Sequence, residues 1–333
     1  MGPRLVVLAG TVLLALGLAL ASLATSLFAF QLLFGVVVGI GAAAIFAPMM
    51  ACVTGWFDTH RSLAVSLVSA GMGVAPMTMS PLAAWLVQTH DWRNALQLIA
   101  ALAAVSMIPL ALLVRRPPAL QATPAASPEA AREPTLSVAQ ALRSPPFLIL
   151  VLTSFLSCAT HSGPIFHTVS YAVTCGIPLM AAVSIYSMEG LAGLGGRLVF
   201  GLLGDRFGAA RVLVLALLAQ AIVVLGYVFA RQLGSFYTVA ALFGFTYAGV
   251  MPLFAVIARD NFPLRMMGTV IGSTTMASSF GMALGPALGG LIYDAYSSYA
   301  WLFIGAFAWG IGAFLAAFAF TRLPRQRAIA AVA

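Results

Sequence analysis

The chain contains no lysine anywhere in its 333 residues, and only 7% of it is charged. Without lysine there is no phosphate-gripping P-loop, no retinal or pyridoxal Schiff base and no Ser/Lys dyad. An ATP-driven pump would need its nucleotide site on another chain, and no cofactor is expected. Soluble domains carry roughly 25% charged residues, so an ordinary globular protein is excluded as well. Cysteine is scarce: Cys52, Cys158 and Cys175 are odd in number and widely spaced, which gives neither a disulfide framework nor zinc-ligand spacing. Gly-x-Ser-x-Gly and His-Glu-x-x-His are missing, and Asp205 and Asp294, the two aspartates that superficially suggest a protease dyad, fall at the ends of different apolar runs. No enzyme and no metal site are expected.

What is present is apolar residue, 62% of the chain or about 206 positions. A helix crossing the hydrocarbon core needs about 20, which allows about ten spans. Apolar runs place them at about 4–24, 28–54, 62–87, 94–114, 147–170, 178–203, 210–230, 236–258, 266–293 and 299–321. The first run is long enough to span and lacks a clear cleavage motif, so it reads as a span and not a signal peptide. Connections are short except for 115–146, which holds seven prolines and most of the loop charge. That segment reads as a flexible linker between two bundles, residues 1–114 with four spans and residues 147–333 with six. Its end, Leu136 to Leu142, reads as a short amphipathic surface helix. The fold class is therefore all-α integral membrane.

All 16 basic residues are arginine, against 8 acidic ones. Laid on alternate sides of the spans, thirteen share one side and only Arg93 and Arg231 fall on the other. By the positive-inside rule the thirteen mark the cytoplasm, which puts both termini and the linker there, with the chain in the cell's inner (plasma) membrane. The positive charge is topology and not nucleic-acid binding, so the bilayer is the expected partner and a monomer the expected state. An internal repeat relates Gly2 to about Arg115 with Gly208 to about Arg322. Phe57 pairs with Phe262, Arg61 with Arg265 and Pro81 with Pro286, and the Gly-to-Pro spacing is 79 residues in one copy and 78 in the other. Both copies have the same orientation, as expected for parallel repeats about an axis along the membrane normal. Two spans precede the second copy and none precedes the first, so a twelve-helix plan lacking its first two helices is expected.

Gly201, Gly204, Asp205, Arg206, Phe207, Gly208 and Arg211 resemble the loop motif of the major facilitator superfamily. Gly2, Pro3 and Arg4 resemble the tail of its first-half copy, with Met1 where Phe207 stands. Trp56, Phe57 and Arg61, a Gly-rich span with Gly71, Gly73 and Pro81, and then Asp91, Trp92 and Arg93 resemble the monocarboxylate and oxalate/formate porter branch. Asp91 replaces that branch's glycine. The stretch His167, Tyr171, Gly176, Ile177, Gly196, Arg197 is similar to the same branch.

Arg197 is the leading site residue. A guanidinium at mid-span costs about 2.5 to 3.5 kcal/mol on insertion scales and should face a polar cavity, where its fork suits a carboxylate. The resemblance implies that an arginine here, in the eighth helix of twelve, contacts the substrate carboxylate; an ion pair with Glu189 or snorkelling to the interface are the alternatives. Glu189 lies eight residues earlier, about 80° around and about 12 Å along a helix. Porters of the branch carry an acid one turn before the arginine, where Gly193 stands, so Glu189 is a displaced proton-coupling candidate. His161 is a second one. His167, Tyr171 and Tyr247 are candidates for the substrate wall, and Tyr186 could join them. The resemblance implies that Gly201, Asp205, Arg206, Gly208 and Arg211 form a conformational latch. Gly193 and Gly196, with Gly281, Gly285 and Gly289, mark faces on which helices approach closely. The expected function is secondary transport of a small organic anion, a monocarboxylate, by alternating access with proton symport or anion exchange. A non-transporting fragment or a membrane sensor is the alternative.

Overall fold

The computed structural model describes residues 2–57, 59–115, 117, 137–263 and 266–322, and every regular element among them is helical. Arg116, Arg132, Arg265, Arg325 and Arg327, with most of the expected linker, lie outside these residues. The chain divides into two compact units, Met1–Trp56 with Thr78–Arg132, and Phe57–Met77 with Glu133–Ala333. The segment 57–77, read from the sequence as part of the first bundle, groups with the second unit.

In the first unit, α1 (Pro3–Ser22) begins on a proline, whose missing N–H is no loss in a first turn. The next span starts with α2 (Leu27–Phe30), where the Ser26 hydroxyl accepts from the Ala29 N–H at 3.2 Å. It continues through a π-helical stretch, Gln31–Val37, into α3 (Val38–Trp56). Small residues let α1 and α3 touch: a Cβ on Gly10 would stand 2.8 Å from the Ala44 Cβ and 2.9 Å from the Gly41 carbonyl. The long α5 (Gly71–Leu112) bends at Asp91, whose φ of 71° and ψ of 152° separate the third and fourth expected spans. Just beyond, the Arg93 Nη1 donates to the Ser22 carbonyl at 2.7 Å. Ser22 ends α1, where unpaired carbonyls favour a cation. Trp92 lies under the same guanidinium at 4.4 Å and receives Phe30 edge-on at 5.6 Å. The Asp91-Trp92-Arg93 triplet thus ties the ends of neighbouring spans together.

The second unit contains α4 (Arg61–Ser69), α6 (Val138–Leu142), α7 (Pro145–Thr174), α8 (Leu179–Phe207), α9 (Ala209–Phe229), α10 (Leu233–Asn261), α11 (Met267–Tyr296) and α12 (Ala300–Phe320). The short α6 is the expected surface helix, started by a capping box between Ser137 and Gln140. Its aromatic core holds Tyr227, Phe236, Phe243 and Phe303, all fully buried, with Ile185 and Val224. Glycine decides how close the helices run. Gly196 of α8 faces the Phe245 carbonyl of α10, and Gly285 of α11 faces the backbone of Ser162 and Gly163 of α7, each so closely that a methyl group has no room.

Phe28, Val105, Leu113, Leu215 and Phe229 turn outward and are mostly exposed. Apolar side chains on that scale belong against lipid. Among the described residues, eight helical segments are long and apolar enough to cross a membrane, against ten expected. The two expected spans not among them are the third, interrupted between α4 and α5 at Ala70, and the sixth, α8, which carries Glu189, Arg197, Asp205 and Arg206.

Candidate functional site

Arg197 and Glu189 both sit on α8 and are 3% and 2% exposed. The guanidinium folds back over Gly193, one turn earlier, where a Cβ would lie 3.4 Å from its Nη1. A Cβ at Gly193 would press on the Ala248 Cβ of α10 at 2.9 Å, so the glycine lets α10 approach beside the arginine. Glu189 lies flat against α10, its backbone and Cγ packed on Gly244. Neither the Glu189 Oε1 nor the Arg197 Nε makes a hydrogen bond, so the two are not joined through those atoms. Tyr247 of α10 lies within electrostatic reach of both. The His161 ring of α7 rests on the Tyr247 ring at 4.9 Å. Four of the sequence candidates, Arg197, Glu189, Tyr247 and His161, are therefore brought into one buried polar region between α7, α8 and α10.

His167 and Tyr171 lie elsewhere on α7. Their rings meet Tyr299, at 5.3 Å for His167 and 5.9 Å for Tyr171, and His167 also packs on Gly289 of α11. The Tyr171 hydroxyl donates to the Ala230 carbonyl at 3.1 Å, just past the end of α9, and the Arg231 guanidinium lies 5.6 Å from its ring. Tyr171 thus has its polar end engaged by backbone within the aromatic core.

The loop motif is the end of α8. Asp205 Oδ2 accepts from the Leu63 N–H in the first turn of α4 at 3.2 Å. The N-cap of α4, His60, sits at φ 51° and supplies no side-chain cap, so the aspartate takes that role from another helix. Gly201 makes this possible, because a Cβ there would stand 2.6 Å from the Ser66 hydroxyl of α4. Gly208 holds φ 90°, a left-handed geometry that glycine adopts without strain. Arg206 lies 5.4 Å from the Phe207 ring, and Arg211 follows in the first turn of α9.

Two residues of this interior were missed in the sequence. Gln220 of α9 is fully buried and reaches the Ser157 carbonyl and the His161 Nδ1, each at 3.5 Å. Tyr227, about two turns further along the same face, is fully buried too. The available signal was the position of Gln220 as the single amide in a long apolar run. No group of His, Cys, Asp and Glu that could hold a metal occurs among the described residues.

Long lipid-facing helices, glycine seams and a charged residue buried in α8 define a multi-pass α-helical membrane protein with a polar interior. The family model described as the Major Facilitator Superfamily matches residues 1–286. Monocarboxylate transporter 13 of Bos taurus is 31% identical over 318 residues, which cover 95% of this chain and 72% of that protein. Monocarboxylate transporter 3 of Rattus norvegicus is 28% identical, with 91% of this chain and 63% of that protein covered. Among solved structures, the human organic anion transporter MFSD10 superposes with a TM-score of 0.73 at 18% identity, covering 95% of this chain and 77% of that one. The Escherichia coli fucose:proton symporter gives 0.68 at 17% identity, with coverages of 95% and 83%. The chain belongs to the Major Facilitator Superfamily and resembles its monocarboxylate transporter branch.

Proposed function

We propose that the chain carries a small monocarboxylate across the plasma membrane by alternating access, with both termini in the cytoplasm. The observation that carries this reading is Arg197, a guanidinium buried within a span with its Nε unpaired. A cation so placed needs an anion, and a planar carboxylate matches its fork. Tyr247, beside it, would orient the substrate, and Arg197, the one buried cation among the described residues, suits a monoanion. Relatives named as monocarboxylate transporters support the same substrate class. Glu189 is the proposed proton-coupling group, a carboxyl with an unpaired oxygen in the same region, and His161 is its proposed partner. Asp205 and its cap on α4 act as the latch.

Uptake of radiolabelled short-chain monocarboxylates into cells expressing the full chain tests this. Arg197→Ala should reduce uptake at least about tenfold at equal membrane level, as expected for loss of a charge-assisted bidentate contact. A proton-collapsing agent should lower wild-type uptake. Uptake undiminished in Arg197→Ala removes the arginine from the site; uptake insensitive to the agent replaces symport with anion exchange.

A further inference from the structure

Two pairs of polar groups inside the second unit face each other without closing a good hydrogen bond. In the first, the Gln220 Nε2 stands 3.5 Å from both the Ser157 carbonyl and the His161 Nδ1, the outer limit for such contacts. Its own Oε1 and the Ser157 hydroxyl have no protein partner. In the second, the Thr168 hydroxyl is a near neighbour of the Tyr227 hydroxyl. Both oxygens are nevertheless unpaired. None of these five residues is more than 3% exposed.

Serine and threonine in apolar helices normally silence their hydroxyls on the carbonyl three or four residues back, as Thr160 and Ser162 of the same helix do. Ser157 and Thr168 do not: the Ser157 carbonyl faces Gln220 of α9 with its own hydroxyl unpaired, and Thr168 neighbours Tyr227 of α9. Inside a bundle surrounded by lipid, leaving four such oxygens unsatisfied is costly. Buried polar groups that neighbour each other without a well-formed direct hydrogen bond are the setting in which water bridges. We propose that the second unit holds internal bound water at two places, one bridging Ser157, Gln220 and His161, the other bridging Thr168 and Tyr227. Gln220 is the positioning residue of the first, since it supplies both an acceptor for the water and the contact that orients the imidazole. Water there gives His161 a hydrogen-bonded path inside an otherwise apolar core. The proposal is independent of which substrate is carried.

Hydroxyl-radical footprinting by X-ray radiolysis, read by mass spectrometry on the full chain in lipid nanodiscs, tests it, because radicals formed from bound water oxidise the side chains beside it. After correction for intrinsic reactivity, His161 and Tyr227 should be oxidised severalfold more than Phe236 and Phe303, which are equally buried. Gln220→Leu should lower the yield at His161 and leave Tyr227 unchanged, and Thr168→Val should do the reverse. Oxidation of His161 and Tyr227 no greater than that of the two phenylalanines overturns the proposal, as do yields that neither variant moves. Should Gln220→Leu fail to accumulate, Ser157→Ala provides the test at the first place.

Discussion

Gly244→Ala makes a demanding test of the seam between α8 and α10. A Cβ at that position overlaps the Glu189 carbonyl oxygen and stands 2.9 Å from both its carbonyl carbon and its Cγ. The first two atoms are backbone, so no rotamer change makes room and the helices must separate. Overpacking of this kind costs about 1 to 3 kcal/mol. Alanine returns at most about 1 kcal/mol through better helix propensity. With the full return the net expectation is a loss of up to about 2 kcal/mol, together with displacement of Glu189. Gly195→Ala is the matched control on α8, where the same added atom meets nothing nearer than Phe245 Cδ2 at 4.0 Å. It gains the propensity and loses nothing, so it should be neutral or stabilising by up to about 1 kcal/mol. Thermal unfolding of the two purified variants in one detergent separates them. Equal melting temperatures would refute the claim that contact at Gly244, and not glycine content, sets the packing of this seam.

Three other variants probe separate parts of the molecule. Asp205→Ala should remove the cap from α4 and cost about 0.5 to 2 kcal/mol of stability, with Asp205→Asn recovering part because it keeps an acceptor; thermal unfolding with both variants at the wild-type midpoint contradicts the capping role. Tyr171→Phe should cost about 1 kcal/mol through the lost bond to Ala230 while leaving the substrate concentration for half-maximal uptake unchanged, and a raised concentration would return Tyr171 to the substrate wall. Arg93→Ala should increase proteolytic cleavage near Ser22 and Asp91, because the guanidinium links those two chain reversals; limited proteolysis with an unchanged pattern argues against it.

The helical, membrane-crossing character of the chain was legible because hydropathy reports the solvent an element faces, and lipid selects uniformly apolar runs. The short helix near 138–142 and the break near Asp91 were legible in the same local way, the second as the gap between the runs 62–87 and 94–114. The π-helical stretch at Gln31–Val37 was not, since nothing in that run's composition separates it from an ordinary α-helix. The polar interior was half legible. Arg197 and Glu189 stood out because a charge in a span is rare, whereas Gln220 and Tyr227 carry no charge and blend into their runs. Which groups meet was hidden altogether. His161 and Tyr247, or Ser157 and Gln220, belong to distant segments, and only the glycine-set approach of the helices fixes their pairing.

The proposed substrate site and the proposed latch share one helix. Glu189, Arg197 and Asp205 follow one another on α8 at intervals of eight residues, about 12 Å of axis each. Gly193 and Gly196, which set how closely α8 approaches α10, lie between the first and last of them. A helix resists compression along its axis, so any slide of α8 along that smooth seam moves the buried carboxyl, the guanidinium and the aspartate that caps α4 by the same amount. Under the proposed function, substrate held by Arg197 and the hydrogen bond from Leu63 to Asp205 would therefore act on one displacement, and the proposed site on α8 would need no further relay to reach the proposed latch.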